Sequence, residues 1–118
     1  MGKDDRILGA FRDSVDETMQ EIEQHARTRV RKHGMDADRT TGNMVWSTFI
    51  HETAWPVEGE PDPHLHARAF CFNATWDQKE ESWKAINFRD IKRDAPYYEA
   101  AFHAWMAARM RGLGYLQR

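Results

Sequence analysis

The chain has 118 residues, of which 41% are apolar and 31% charged, with a formal net charge of −2. That is the size of one domain with a small core, and no apolar run approaches the ~18 residues that a membrane-spanning helix needs. The single cysteine, Cys71, excludes an internal disulfide framework and fits a reducing cytoplasm, and Met1 to Arg6 lead into a helical pattern rather than an apolar signal core.

Ile7, Phe11, Val15, Met19, Ile22, Ala26 and Val30 recur every three or four residues, which predicts one amphipathic helix from Asp5 to about Lys32. Arg27, Arg29, Arg31, Lys32 and His33 then crowd its last turns, where cations suit the helix dipole, and Gly34 stops it. Met35 to Asn43 holds Asp36, Asp38, Thr40, Thr41 and Gly42 and reads as a loop. From Met44 the period changes to two: Val45, Phe49 and His51 share one strand face, and Met44, Trp46, Thr48 and Ile50 the other. Apolar groups on both faces predict a central strand covered on both sides. Pro56 ends it, and Val57 to Pro63, with Gly59 and Pro61, is expected as a loop.

A second strand is expected from about His64 to Thr75, with His66, Arg68, Phe70 and Phe72 on one face and Leu65, Ala67, Ala69 and Cys71 on the other. The pattern makes Cys71 a small buried hydrophobe. Trp83 to Ile86 is a short third strand closed by a polar hairpin loop. A last helix starts near Asp94, whose carboxylate is placed to cap it, carries Tyr98, Phe102, Trp105 and Met106 inward, and ends near Gly112 and Gly114. Residues His25, His33 and His103 fall on helices as surface or packing groups. The fold class is α+β: a small antiparallel sheet of about three or more strands, flanked by a long N-terminal helix and a C-terminal helix, in a single domain spanning residues 1–118. Further basic residues gather at Arg89, Lys92 and Arg93 and at Arg109, Arg111 and Arg118. Charge alone assigns them to solvated helix faces; the alternative is a basic face that meets phosphates.

The chemistry sits in His51 and in Pro63-His64-Leu65-His66. Histidines spaced by one residue on a strand point to one face, and a third on a neighbouring antiparallel strand comes within reach across the pair. Such imidazoles make a divalent-metal site with open positions for water or a phosphate oxygen. The candidate ligands are therefore His51, His64 and His66; the bland alternative is surface histidines beside a proline turn. Imidazole suits zinc, manganese or nickel and is a poor match for calcium.

The ordered strings Thr41-Gly42-Asn43, His51-Glu52-Thr53, Asp62-Pro63-His64-Leu65-His66, Asn73-Ala74-Thr75 and Trp83-Lys84 resemble the three-histidine region of the TrwC/TraI-type conjugative relaxases, within the HUH endonucleases. The resemblance runs from about Val30 to Tyr115. It implies an antiparallel sheet flanked by helices and a cytoplasmic protein of conjugative transfer that binds and nicks single-stranded DNA. It also implies a divalent cofactor (magnesium, manganese, zinc or nickel) that polarises the scissile phosphate, and a tyrosine that attacks it.

Three departures qualify what is carried over. The family's nucleophilic tyrosine precedes the histidines, whereas the tyrosines here are Tyr97, Tyr98 and Tyr115. No catalytic residue is therefore assigned, and the chain alone is expected to form no phosphotyrosyl link. The pattern Asp-Pro-x-Leu-His-x-His places Arg68 at the final histidine. An arginine has no lone pair for a metal, and using His64 with His66 instead shifts the ligand pair by two residues, ~6.5 Å along the strand. Arg68 is then either a cationic fork for a phosphate or a sign of lost cleavage. Trp55 stands where related relaxases often carry arginine, and either stacks on a base or packs. Lys84 either touches phosphate or is an exposed strand lysine. The expected partners are single-stranded DNA, together with a second copy of the chain as a homodimer or a tyrosine-carrying relaxase segment, which would complete an open sheet edge. The competing class is a non-catalytic DNA- or protein-binding module.

Overall fold

The computed structural model describes residues 3–57 and 60–114; for residues 3–4, 52–57 and 60–64 it describes the backbone alone. Helix α1 spans Lys3–Gln24, and strands β1 (Arg27–Lys32) and β2 (Met35–Thr40) follow. Strands β3 (Trp46–Val57) and β4 (Glu60–Cys71) form a long ribbon, and β5 (Thr75–Asp77) and β6 (Ser82–Lys84) a short hairpin. The chain then enters α2 (Arg89–Arg93) and α3 (Ala95–Gly112). The class is α+β as expected, with the strands divided among three antiparallel two-stranded sheets, β1-β2, β3-β4 and β5-β6.

The apolar stripe of α1 does form the core. Phe11, Val15 and Met19 are buried with Ala26, Met44 and Ile86, and Ile22, Phe102 and Met106 pack against them. The end of α1 meets the start of α3 through His25 and Tyr98, and its middle meets the end of α3 through Ser14 and Arg109. Trp46, Ile50 and Leu65 seal one face of the ribbon onto this pair of helices. On α3, Tyr98 is buried as expected, but Trp105 is 41% exposed.

Several boundaries differ from the sequence reading, each for a physical reason. The helix stops at Gln24 rather than near Lys32, because Thr28 and Val30 alternate inward against outward Arg29 and Arg31. Two residues four apart in sequence fit a helix stripe, but β-branched Thr28 and Val30 favour the strand. Met35–Thr40 is accordingly a strand and not a loop, and His33 lies in the hairpin turn and not on a helix. Residues Val57 to Pro63 do not all form a loop: β3 continues through Pro56, and β4 already includes Pro61 and Pro63. Among the described residues each of these strands has one ladder partner, and prolines are tolerated on the edge that needs no N–H donor. The helices pack on the Trp46, Ile50 and Leu65 face, and on the other face of β3 Phe49 is 51% exposed. The second strand ends at Cys71, which is exposed rather than buried, and Thr75 begins a separate hairpin. Asp94 does occupy the position before α3, but its carboxylate bonds Arg93 instead of capping the helix.

Candidate metal and nucleic-acid site

The β3–β4 register places His51 directly opposite His66, Phe49 opposite Arg68 and Ser47 opposite Phe70. Directly opposed residues have Cβ atoms about 4.5–5.5 Å apart, and strand alternation puts all of these on one face. His51, Phe49, His66, Arg68 and Phe70 are exposed, so this face is open to solvent. The opposite face supplies Trp46, Ile50 and Leu65 to the core, and its Ala67 and Ala69 line a cleft with Phe11, Val15 and Tyr98.

The predicted histidine pair is thus brought together by the backbone itself. His64 stands opposite Thr53, two residues from His66 and of the same strand parity. The side chains of His64 and Trp55 lie outside the described residues. Among the described residues no three His, Cys, Asp or Glu side chains converge into a metal-binding group. Two opposed imidazoles suit a borderline transition ion, and a complete site needs at least one donor more. On the side away from His64, the next position of β4 on this face is Arg68, which donates hydrogen bonds but offers no lone pair. Of the described residues on this face, His51 and His66 can donate a lone pair to a metal, and Arg68 can only donate hydrogen bonds.

Lys84 sits elsewhere. Its ammonium lies 3.0 Å from Asp77 Oδ2 and 2.7 Å from Glu80 Oε2, while Arg39 reaches the same two carboxylates at 2.5 and 3.1 Å. Burial pushes the Asp77 carboxyl up, but Lys84, the backbone N–H groups of Glu80 and Lys79, and Arg39 outweigh it and hold the pKa at about 2. Lys84 is in turn raised by Glu80 and Asp77. Its charge is taken up within the β5–β6 hairpin, and Arg39 ties the same carboxylates to β2.

Two of the sequence strings prove to be structural. The Asn43 side chain donates to Thr41 O and Trp76 O at 3.1 and 2.9 Å and accepts from Trp76 N at 2.7 Å. The Thr75 hydroxyl is fully buried beside it, 2.7 Å from Asn43 O. Asn73 accepts from Ile86 N at 2.7 Å. These amides and hydroxyls pin β5 to the segment before β3, a role that no spacing rule discloses.

The described tyrosines, Tyr97 and Tyr98, both lie on α3. Tyr98 is buried, 3.4 Å from His25 Nδ1, and lines the cleft on the ribbon face turned away from His51 and His66. Burial pushes its phenol up, against activation. Tyr97 is 59% exposed on α3, and Tyr115 lies outside the described residues. Much of the basic clustering is neutralised. Arg27 pairs with Asp90 at 3.2 Å, Arg31 with Asp36 at 3.5 Å and Arg93 with Asp90 at 3.2 Å, and Arg109 pairs with Glu17.

This geometry matches known proteins. The TrwC relaxase family model covers residues 1–118. The multifunctional conjugation protein TraI of Escherichia coli K12 is 32% identical over 87 residues, covering 74% of this chain and 5% of TraI. The metal-free structure of conjugative relaxase TrwC in complex with oriT DNA superposes with a TM-score of 0.84 at 32% identity, covering 96% of this chain and 38% of that one. Its metal-bound counterpart gives 0.83 at 32% identity, with the same coverage. The chain thus spans well under half the length of these relatives. With its histidine ribbon, flanking helices and motif order all in place, the chain belongs to the TrwC relaxase family.

Proposed function

We propose that this chain is a single-stranded-DNA-binding relaxase module that engages a phosphodiester on the open face of β3–β4. The observation that carries the proposal is the direct pairing of His51 with His66, with Arg68 next along the same exposed face, in a TrwC-family fold. The similar TrwC structures hold oriT DNA, which supports a DNA ligand of that type here. In the proposed site His51, His66 and His64 hold a divalent ion from the magnesium, manganese, zinc and nickel group. A metal-bound TrwC relative supports the presence of an ion. When bound, the ion supplies Lewis-acid polarisation of a phosphate oxygen. Arg68 supplies a fixed planar cation beside the same phosphate, and Trp55 stacks at the distal end of the ribbon. Lys84 serves through the hairpin it anchors.

Cleavage requires a nucleophile, and no tyrosine precedes His51 in this sequence. The proposed activity of the chain alone is therefore to bind and orient the strand, without a covalent adduct. The test is titration of a fluorescent single strand over a range of salt, followed by denaturing electrophoresis of the mixture. Binding that weakens with salt, with no band shifted covalently, is the expected result. No binding at low salt, or a stable protein–DNA adduct, overturns the proposal.

One observation favours a further partner. The outer edges of β3 and β4 carry no ladder partner among the described residues. Open edges of this length pair readily, so a second copy or a tyrosine-bearing relaxase strand is the proposed edge partner. Sedimentation of the chain with and without such a segment distinguishes the two.

A further inference from the structure

The histidines occupy only part of the open ribbon face. Beyond Arg68 the chain presents Phe49, Phe70 and Phe72, exposed at 51, 56 and 59%. The rings of Phe49 and Phe70 meet edge to face with centroids 5.6 Å apart, and together with Phe72 they border a shallow groove closed by Ser47 and Cys71. Phe72 is held in line by its backbone N–H, which donates to Val45 O at 2.9 Å. Large aromatic groups clustered in the open mark a binding surface rather than chance exposure.

The charges decide what kind of ligand fits. Among the described residues of this face (Ser47, Phe49, His51, His66, Arg68 and Phe70) there is no carboxylate. Covering it with an apolar protein surface would bury the Arg68 guanidinium without an anion, which is costly. A nucleic-acid strand brings both complements, an anionic phosphate for Arg68 and a flat π-face for each phenyl ring. Spacing agrees as well. Residues two apart on a strand are ~6.6 Å apart, so Arg68, Phe70 and Phe72 form a row that successive nucleotides of an extended strand can follow.

We infer that the Phe49–Phe70–Phe72 groove is a base-stacking track, which continues the phosphate-holding row of His66 and Arg68 along a single strand of nucleic acid. This rests on the proposal that the histidine face binds a strand, and the experiment separates the two. Affinity for a short single strand is measured across salt for the full chain and for Phe49→Ala, Phe70→Ala, Phe72→Ala and Arg68→Gln. The same strand with bases removed is measured in parallel.

Each phenylalanine variant is expected to weaken binding about tenfold with an unchanged salt slope, because stacking releases no counterions. Arg68→Gln is expected to flatten the slope by about 0.7, the value for one fewer neutralised phosphate on a single strand. Strands lacking bases should bind the full chain and the Phe variants alike, and Phe70→Trp should restore affinity. Thermal unfolding checks that the variants are folded, and their exposed positions predict little change. If the strand binds but the Phe variants bind as tightly as the parent, the track is wrong and the histidine-face proposal stands. If nothing binds the strand, the underlying proposal fails first. If the Phe variants abolish self-association while leaving DNA affinity intact, the groove is a protein interface and the inference is overturned.

Discussion

Asp77 shows how a single residue fixes a local structure. Its side chain is 1% exposed and accepts from Arg39, Lys84 and the backbone of Lys79 and Glu80. Because its folded pKa of about 2 lies below the ordinary carboxylate value, its stabilising contribution is complete above that ordinary value. The contribution is lost as pH falls towards 2. Acid titration of stability should therefore show a decline below pH ~4 in the parent, and a shallower one in Asp77→Asn, whose amide no longer titrates. Equal acid slopes in the two proteins would show that the ion cluster is idle. Arg68 is the second decisive residue. Replacing it with histidine places a third imidazole beside the opposed pair His51 and His66. Arg68→His should raise zinc affinity by at least about tenfold, and His66→Ala should lower it by a similar factor. Calorimetry with zinc decides this, and no gain in Arg68→His would mean that the ribbon cannot close around an ion.

At the scale of elements, the β1–β2 hairpin is the instructive case. Lys32 pairs with Met35, leaving His33 and Gly34 as a two-residue loop with φ of 52° and 78°. Positive φ at both positions is the pattern of a type I′ turn, which matches the twist of the flanking strands. A Cβ at Gly34 would meet nothing within 4 Å, so the cost of a side chain there comes from φ alone. Gly34→Ala should destabilise by about 1 kcal/mol, and His33→Asn should be neutral or slightly stabilising. Chemical denaturation reads both. A destabilisation well above that for Gly34→Ala would reveal an interaction beyond the strained backbone. In the sequence the His-Gly pair also suits a helix end, and the Ala26–Val30 spacing continues the apolar stripe of α1. The ladder to β2 commits the segment to a strand, and Thr28, which donates to Ala85 O at 2.7 Å, and Arg27 O, which accepts from Asn87 N at 2.8 Å, fasten it to the chain after β6.

Taken whole, the molecule is elongated. Its radius of gyration is 18.4 Å and its long axis 65 Å, where a compact chain of this length would have a radius of about 13.5 Å. Its buried core lies between α1, α3 and one face of the ribbon. Stability is therefore concentrated in few side chains. Phe11 is 9% exposed and meets Phe102 edge to face at 5.4 Å, so Phe11→Ala should cost about 3–5 kcal/mol. That is a large part of the stability of a small domain, and much of the chain should be unfolded at 37 °C by circular dichroism. A loss under about 1 kcal/mol would mean that the helices are held by other side chains.

The sequence by itself determined the α+β class, the core stripe of α1, the position of α3 and the two strands that carry His51 and His66. Those features follow from side-chain period, which is a local property of the chain. It also identified Arg68 as a break in the ligand pattern, since a guanidinium cannot coordinate wherever it lies. Tertiary structure alone decided the rest. Whether Arg27–Lys32 became helix or strand depended on its ladder with Met35–Thr40 and on hydrogen bonds to the distant Ala85 and Asn87. Whether Lys84 faced solvent or carboxylates depended on the β5–β6 register, and whether Asn43 and Thr75 were chemical or structural depended on a hydrogen-bond hub joining distant segments. The openness of the Phe49 and Phe70 face had the same origin. Period shows that a face is apolar; only the number of strands and helices stacked against it shows whether anything covers it.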